Sequence, residues 1–298
     1  MFKSKYFELH VIVLLWGFTP VLGKLISFGA LDLVWYRLVF ALISLYLLML
    51  VRGEGLKLGF KHILHLALIG SIVGLHWYYF YHSIKVSNVS VAMAGFSTLT
   101  LFASVMQPLL LKEKFFWGDF IYGMLLLAGL GVIFKFETQH VAGLIYGILA
   151  AFTSAFFGVY NGKLIQQHGA YKITFYEFAG ALLVITIAKL FMAEEGVAFI
   201  PPLNVSDTIY ILVLSVLCTT VAFTWSVEIL KFLTPLTVII TNNLEPVYGI
   251  VFSVILFGDT EYMSPEFYIG AGIILLSVFT YPLIKQKVTV RIEERKKV

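Results

Sequence analysis

The 298-residue chain is 60% hydrophobic and only 13% charged, with a formal net charge of +4. Charged residues make up about a quarter of a soluble domain, so a soluble globular fold is excluded, and the lack of period-two alternation excludes a porin-type barrel. The basic residues cluster at loops and ends, as membrane topology requires, so the net charge points to no nucleic acid; the lone cysteine, Cys218, can build neither an intrachain disulfide nor a metal site.

The composition and its apolar runs predict an all-α polytopic membrane protein. The N-terminal MFKSK and the apolar run after it look like a signal peptide, but no small-residue cleavage site follows and the run continues to about Ile26, so it reads as an uncleaved first span. Further spans are predicted at 32–51, 62–84, 88–111, 115–134, 141–165, 172–192, 207–230, 235–257 and 265–284, ten in all. Each is near the ~20 residues needed to cross about 30 Å of hydrocarbon. Connections are short, the longest being 193–206 with Pro201-Pro202, so consecutive spans are antiparallel neighbours. The tail after Tyr281, with 286–298 as its basic end, reads as solvated, with contact to anionic lipid as the other reading.

Lysine and arginine placement sets the orientation. With the N-terminus in the cytoplasm, Lys3, Lys5, Arg52, Lys57, Lys61, Lys112, Lys114, Lys163, Lys172, Lys231 and the C-terminal cluster fall on the cytoplasmic side, and Lys24, Lys85, Lys135 and Lys189 on the other. Both termini are therefore expected inside, in a bacterial cytoplasmic membrane.

An internal repeat divides the chain. GKLI occurs at Gly23–Ile26 and Gly162–Ile165, Trp35–Leu42 aligns with Phe175–Leu182, and Thr98–Glu113 aligns without gaps onto Leu244–Asp259. An odd number of spans per copy makes the second copy upside down. The expectation is two inverted five-helix repeats, 1–137 and 138–285, an architecture of many secondary transporters.

The stretch Thr241–Asp259 carries an intramembrane carboxylate followed by proline, Glu245-Pro246. An unpaired charge there costs at least ~2.5 kcal/mol, and the proline disturbs the backbone one turn earlier. Asn242, Glu245, Gly249 and Ser253 share one helical face. That face either lines a cavity, with Glu245 binding substrate or carrying a proton, or marks a structural break with Glu245 bonded to a neighbouring helix. The matching stripe Ser97, Thr100, Ser104 and Gln107 reads first as helix packing and second as cavity lining. In His76–His82, Trp77 lies one turn past Gly74 and is the cavity candidate, while Tyr81 and His82 fit an interfacial aromatic belt. His76 is either a proton carrier or a helix contact.

Together the candidate substrate-binding residues are Trp77, Tyr160, Asn161, Thr220, Trp225, Asn242 and Glu245, with Glu245 and His76 as candidate coupling groups. Such an aromatic lining with few charges suits amphipathic or zwitterionic solutes. Arg37, Glu177 and Lys163 are candidate gate or interface charges; the first two occupy aligned positions about a turn inside their helices, within snorkelling reach of the interface.

The stretches WGFTPVLGK (Trp16–Lys24), Tyr36-Arg37 and LEPV…LFGD (Leu244–Asp259), with LLLKE closing the first copy, resemble the drug/metabolite transporter superfamily, EamA type. The resemblance runs from Val11 to about Tyr281. It implies a secondary active transporter, in the direction of export, of small organic metabolites such as amino-acid-like or amphipathic solutes, with protons as the other expected partner. The first copy has Thr98-Leu99-Thr100 where the second has Leu244-Glu245-Pro246, so the halves are chemically unequal, and the second closes on Asp259 where the family more often has Glu. No zinc helix, Walker loop or Ser/His/Asp set occurs, so no enzyme, metal or cofactor is expected. The competing readings are an intramembrane enzyme on lipid-linked substrates, which needs a cluster of ionisable groups at one interface, and a non-transporting sensor.

Overall fold

A computed structural model describes residues 2–113, 125, 128–129, 131–133, 138–192, 198–273, 276 and 280, and these form helices and turns with no strand among them. Among the described residues eight stretches are long and apolar enough to cross a membrane: Lys5–Leu25, Ala30–Arg52, Phe60–Val86, Val89–Leu111, Val141–Leu164, Ala170–Phe191, Val205–Ile229 and Pro235–Glu261. They match eight of the ten predicted spans to within a few residues. Of the predicted span 115–134 only 125, 128–129 and 131–133 are described, and of 265–284 only 265–273, 276 and 280. Outward-facing Leu47, Val51, Leu183 and Ile255 are more than half exposed, as lipid-facing side chains are.

Four of the eight spans are interrupted, each for a local chemical reason. The first is α1 (Phe2–Gly17) and α2 (Thr19–Leu25); Pro20 sits in the first turn of α2, where a missing N–H leaves no bond unmade. Helices α3 (Ala30–Arg52) and α4 (Phe60–Val86) are continuous. The fourth span divides into α5 (Val89–Phe96), whose start is capped by Asn88 accepting from the Val91 N–H at 2.9 Å, and α6 (Leu99–Leu111). After the continuous α7 (Val141–Leu164) and α8 (Ala170–Phe191) comes α9 (Val205–Ser215), a π-helical turn over Val216–Val221, and α10 (Ala222–Ile229). The eighth span is α11 (Pro235–Asn242) and α12 (Leu244–Phe257), hinged at Asn243. The sequence alignment puts Ser97 opposite Asn243, so the breaks of the fourth and eighth spans fall in register.

The packing is reciprocal between the two copies. Helix α4, third span of the first copy, packs on α7 and α8, the first two spans of the second. The α9–α10 span, third of the second copy, packs on α1 and α3. The two broken spans meet at the centre, α12 on α5, with Asn243 donating from Nδ2 to Thr100 Oγ1 and to the Ile239 carbonyl at 3.1 Å. The tightest approach is α4 on α8: a Cβ on Gly70 would overlap the Glu177 backbone, and one on Gly180 the Ala67 backbone.

Candidate functional site

The interrupted spans enclose a cavity of about 80 Å³, room for several waters. Its lining includes Trp16 and Thr19 at the α1–α2 break, Asn242 and Glu245 at the α11–α12 break, and Phe96 just before the α5–α6 break. Arg37 and Trp77 close one side, and Phe157 and Asn161 from α7 another. Toward one end of the bundle it is lined by Leu230, in the turn after α10, and Pro235, the first residue of α11.

Arg37 is 3% exposed and fully engaged on one side: Nε donates to Thr219 Oγ1 at 2.7 Å, Nη1 to the Tyr81 hydroxyl at 3.0 Å, and the guanidinium lies 4.0 Å from the centre of the Trp77 ring. Glu245, 7% exposed, makes no hydrogen bond or ion pair among the described residues. One buried cation and one carboxylate thus border the same small cavity, near enough to interact electrostatically but with no hydrogen bond or salt bridge between them. Desolvated charges are costly unless further hydrogen bonds satisfy them, and Glu245 has none among the described residues. The Asn242 carbonyl oxygen, also buried and without a partner, adds an acceptor on the same wall.

The π-helical turn explains part of this geometry. A π turn leaves a backbone carbonyl without its usual i+4 donor. Here the Cys218 carbonyl accepts from the Trp16 indole N–H at 3.0 Å, and Thr219 Oγ1 donates to the Leu214 carbonyl at 2.7 Å while accepting from Arg37. The same turn rotates the rest of the span, so that Phe223, Ser226 and Leu230 face the cavity.

The sequence-derived candidates divide accordingly. Trp77, Asn161, Asn242, Glu245, His76 and Arg37 come together on the cavity wall. His76 is held as a helix contact through Nδ1, which donates to the Ala150 carbonyl at 2.9 Å, with the Phe157 ring 5.4 Å away. Tyr160 points elsewhere, because neighbouring residues on a helix face different ways; its hydroxyl meets His65 Nε2 at 2.9 Å and its ring lies 5.8 Å from the Lys163 ammonium. Thr220 and Trp225, turned by the π segment, line a second hollow of about 600 Å³ beside Arg52 and Lys231, with Thr220 donating to the Ala41 carbonyl at 3.0 Å and Trp225 to Glu8 at 2.9 Å.

Neither Arg37 nor Glu177 snorkels to an interface. Glu177 is fully buried behind Asn161, whose Nδ2 donates to it at 3.2 Å, and Lys163 is not its partner. Of the stripe headed by Asn242 and Glu245, Gly249 packs against Met93 and Pro20, and Ser253 bonds the Ile250 carbonyl at 3.0 Å, so only its first turn reaches the cavity. Ser97, Thr100, Ser104 and Gln107 are all buried between helices, as packing requires. Sequence reasoning missed Tyr81 as a partner of Arg37, having placed it in an aromatic belt, and it missed Trp16; the Trp16-Gly17 pair before Pro20 was the available signal.

The family model of EamA-like transporters matches this chain twice, over residues 6–135 and 141–281. A relative from Haemophilus influenzae, described as an uncharacterized transporter, is 25% identical over 300 residues, covering 93% of this chain and 95% of its own. A crystal structure of a protein 16% identical in sequence superposes with a TM-score of 0.69, covering 96% of this chain and 99% of the other, and shows likeness of fold.

Proposed function

The chain belongs to the EamA-like transporter family, and from that premise we propose a secondary active transporter that exports small, amino-acid-like or amphipathic metabolites by rocking its two halves around the central cavity. The observation that carries this reading is a buried cation and a buried carboxylate on one cavity, Arg37 from the continuous α3 and Glu245 from the α11–α12 break, with no salt bridge between them. Backbone interrupted at membrane depth is tolerated where it is buried in protein or lines a cavity. The aromatic side chains around the charges suit a solute with an apolar body and a zwitterionic head. Reciprocal packing of third spans onto the opposite copy supports an inverted pair of repeats, and alternating access is the motion such a pair permits. Export is the direction the family resemblance implies.

Counterflow in proteoliposomes tests the reading. Solute-loaded vesicles are expected to accumulate labelled amino-acid-like solute transiently above its outside concentration. No counterflow with any solute that shifts the melting temperature of the purified protein would reject transport. The lysine and arginine bias supports cytoplasmic termini in a bacterial inner membrane. Reporters fused to either end are expected to be active only on the cytoplasmic side; an outward C-terminus would overturn both the topology and the inverted repeat.

A further inference from the structure

The two ends of the bundle are fastened by different chemistry. Each broken span has the start of its first helix capped by a side chain from the far end of the other broken span. At α11 the Leu236 N–H, second in its helix, is accepted by the neutral amide oxygen of Gln107 at 2.9 Å. At α5 the corresponding Ser90 N–H is accepted by the carboxylate of Glu261 at 2.9 Å, with the Val89 N–H at 3.2 Å and the Ser90 hydroxyl at 3.0 Å. Glu261 is fully buried, and Lys24 at the end of α2 pairs with it at 2.7 Å.

Other ties between the halves at this distal end reinforce the asymmetry. Lys189 pairs with Asp32, and Asp207 accepts from the Ser27 N–H at 2.8 Å and its hydroxyl at 2.5 Å. At the opposite end the ion pairs among the described residues, Lys5–Glu8 and Lys231–Glu228, each join residues three apart in sequence, and the link across the bundle is the neutral Trp225 indole N–H donating to Glu8 at 2.9 Å. The cavity extends toward this second end, to Leu230 and Pro235 beside the neutral Gln107 cap. In the topology proposed above, the end carrying Lys24 and Glu261 is the outer one.

We propose that Glu261, through its pairing with Lys24 and its grip on the start of α5, is the latch that holds the outer end of the transport path shut. The inference rests on the alternating-access reading, but it names a residue and a side that the reading does not. A buried carboxylate that satisfies two backbone N–H groups and one ammonium is costly to separate from them. Once the end opens, water solvates all of these groups, so the latch can be released and remade. The Gln107 cap, being neutral, opens against a smaller electrostatic cost. The cytoplasmic end is therefore the one that opens more readily, and the outer end the one held shut.

The test reads accessibility and needs no known solute. In a Cys218→Ser background, Phe80→Cys places a thiol on the cavity wall on the outer side of the break, to be labelled in intact cells by a membrane-impermeant maleimide. With the latch intact, labelling from outside is expected to be slow. Glu261→Gln keeps an acceptor for the α5 N–H groups and loses the ion pair, and it is expected to raise the outside labelling rate about tenfold or more. Lys24→Gln, which changes no group on α5, is expected to do the same, while Lys231→Gln, breaking a pair at the other end, should leave the rate unaltered. Unchanged labelling in both latch variants, with both proteins folded and in the membrane, overturns the proposal. If counterflow succeeds and labelling does not respond, the latch fails and transport stands. If labelling responds and no solute shows counterflow, the latch stands and the transport reading fails.

Discussion

Glu245→Gln is expected to abolish uphill, proton-driven transport in proteoliposomes while leaving solute exchange in place. Exchange needs only a cavity that closes and reopens around solute. Uphill movement needs a group that carries the proton across, and Glu245 is the carboxyl group on the cavity wall. The substitution preserves shape and one acceptor oxygen but cannot gain and lose a proton. If Glu245 instead holds a solute ammonium, the same change weakens solute binding at every pH, and the two outcomes separate in a pH series of exchange and uphill assays. The structure also fixes what should not change. Glu245 makes no hydrogen bond among the described residues, and it lies in the first turn of α12, where a carboxylate gains about 0.3–1 kcal/mol from the helix dipole. Loss of stability in Glu245→Gln should therefore stay within about 1 kcal/mol. A much larger drop in melting temperature, with pH-dependent uphill transport retained in the folded protein, would return Glu245 to a purely structural role.

Much of the scaffold was legible because bilayer length is written directly in apolar runs. The Glu245-Pro246 break was also legible, since proline lacks an N–H donor and favours the first turn of a helix, although Pro108 shows that a helix can also carry one inside. What the sequence could not show was which way each span turns. Arg37 lies only two turns from the start of α3, and sequence distance alone put it within reach of the interface; its partners Tyr81 and Thr219 stand on other spans. Thr220 and Trp225 read as cavity residues because they are a polar and aromatic set well inside a span that recurs in both copies, and the π turn over Val216–Val221 directs them to a second hollow. No residue type in VLCTTV specifies that turn; it persists because Trp16 and Arg37 use the groups it presents. Asn161 and Asn242 do line the central cavity, each on a helix face that also carries an aromatic residue or a carboxylate.

The crossing of α4 and α8 is where a single substitution is expected to harm the fold most. Here two helices approach until backbone touches backbone. Small residues permit this: Gly70 faces the Glu177 backbone, Gly180 faces the Ala67 backbone, and a Cβ on Gly74 would stand 3.0 Å from the Ala181 Cα. Lipid provides no hydrophobic drive to hold helices together, so close packing and the hydrogen bonds behind it carry the association. Gly70→Val is expected to force the pair apart, since main-chain atoms cannot rotate away as a side chain can. The separation would withdraw the support that Phe178 gives the Trp77 ring, 5.5 Å between centroids, and with it the seat of Arg37. Overpacking of this kind costs about 1–3 kcal/mol or more, which for a chain of 298 residues lowers the melting temperature by roughly 2–5 °C or more. Gly29→Ala is the matched control, because its added Cβ meets nothing within 4 Å. Comparing the two by thermal unfolding in detergent isolates the crossing from the general cost of replacing glycine. Equal melting temperatures for Gly70→Val and Gly29→Ala would mean that α4 and α8 can slide apart freely, and that the cavity does not depend on their contact.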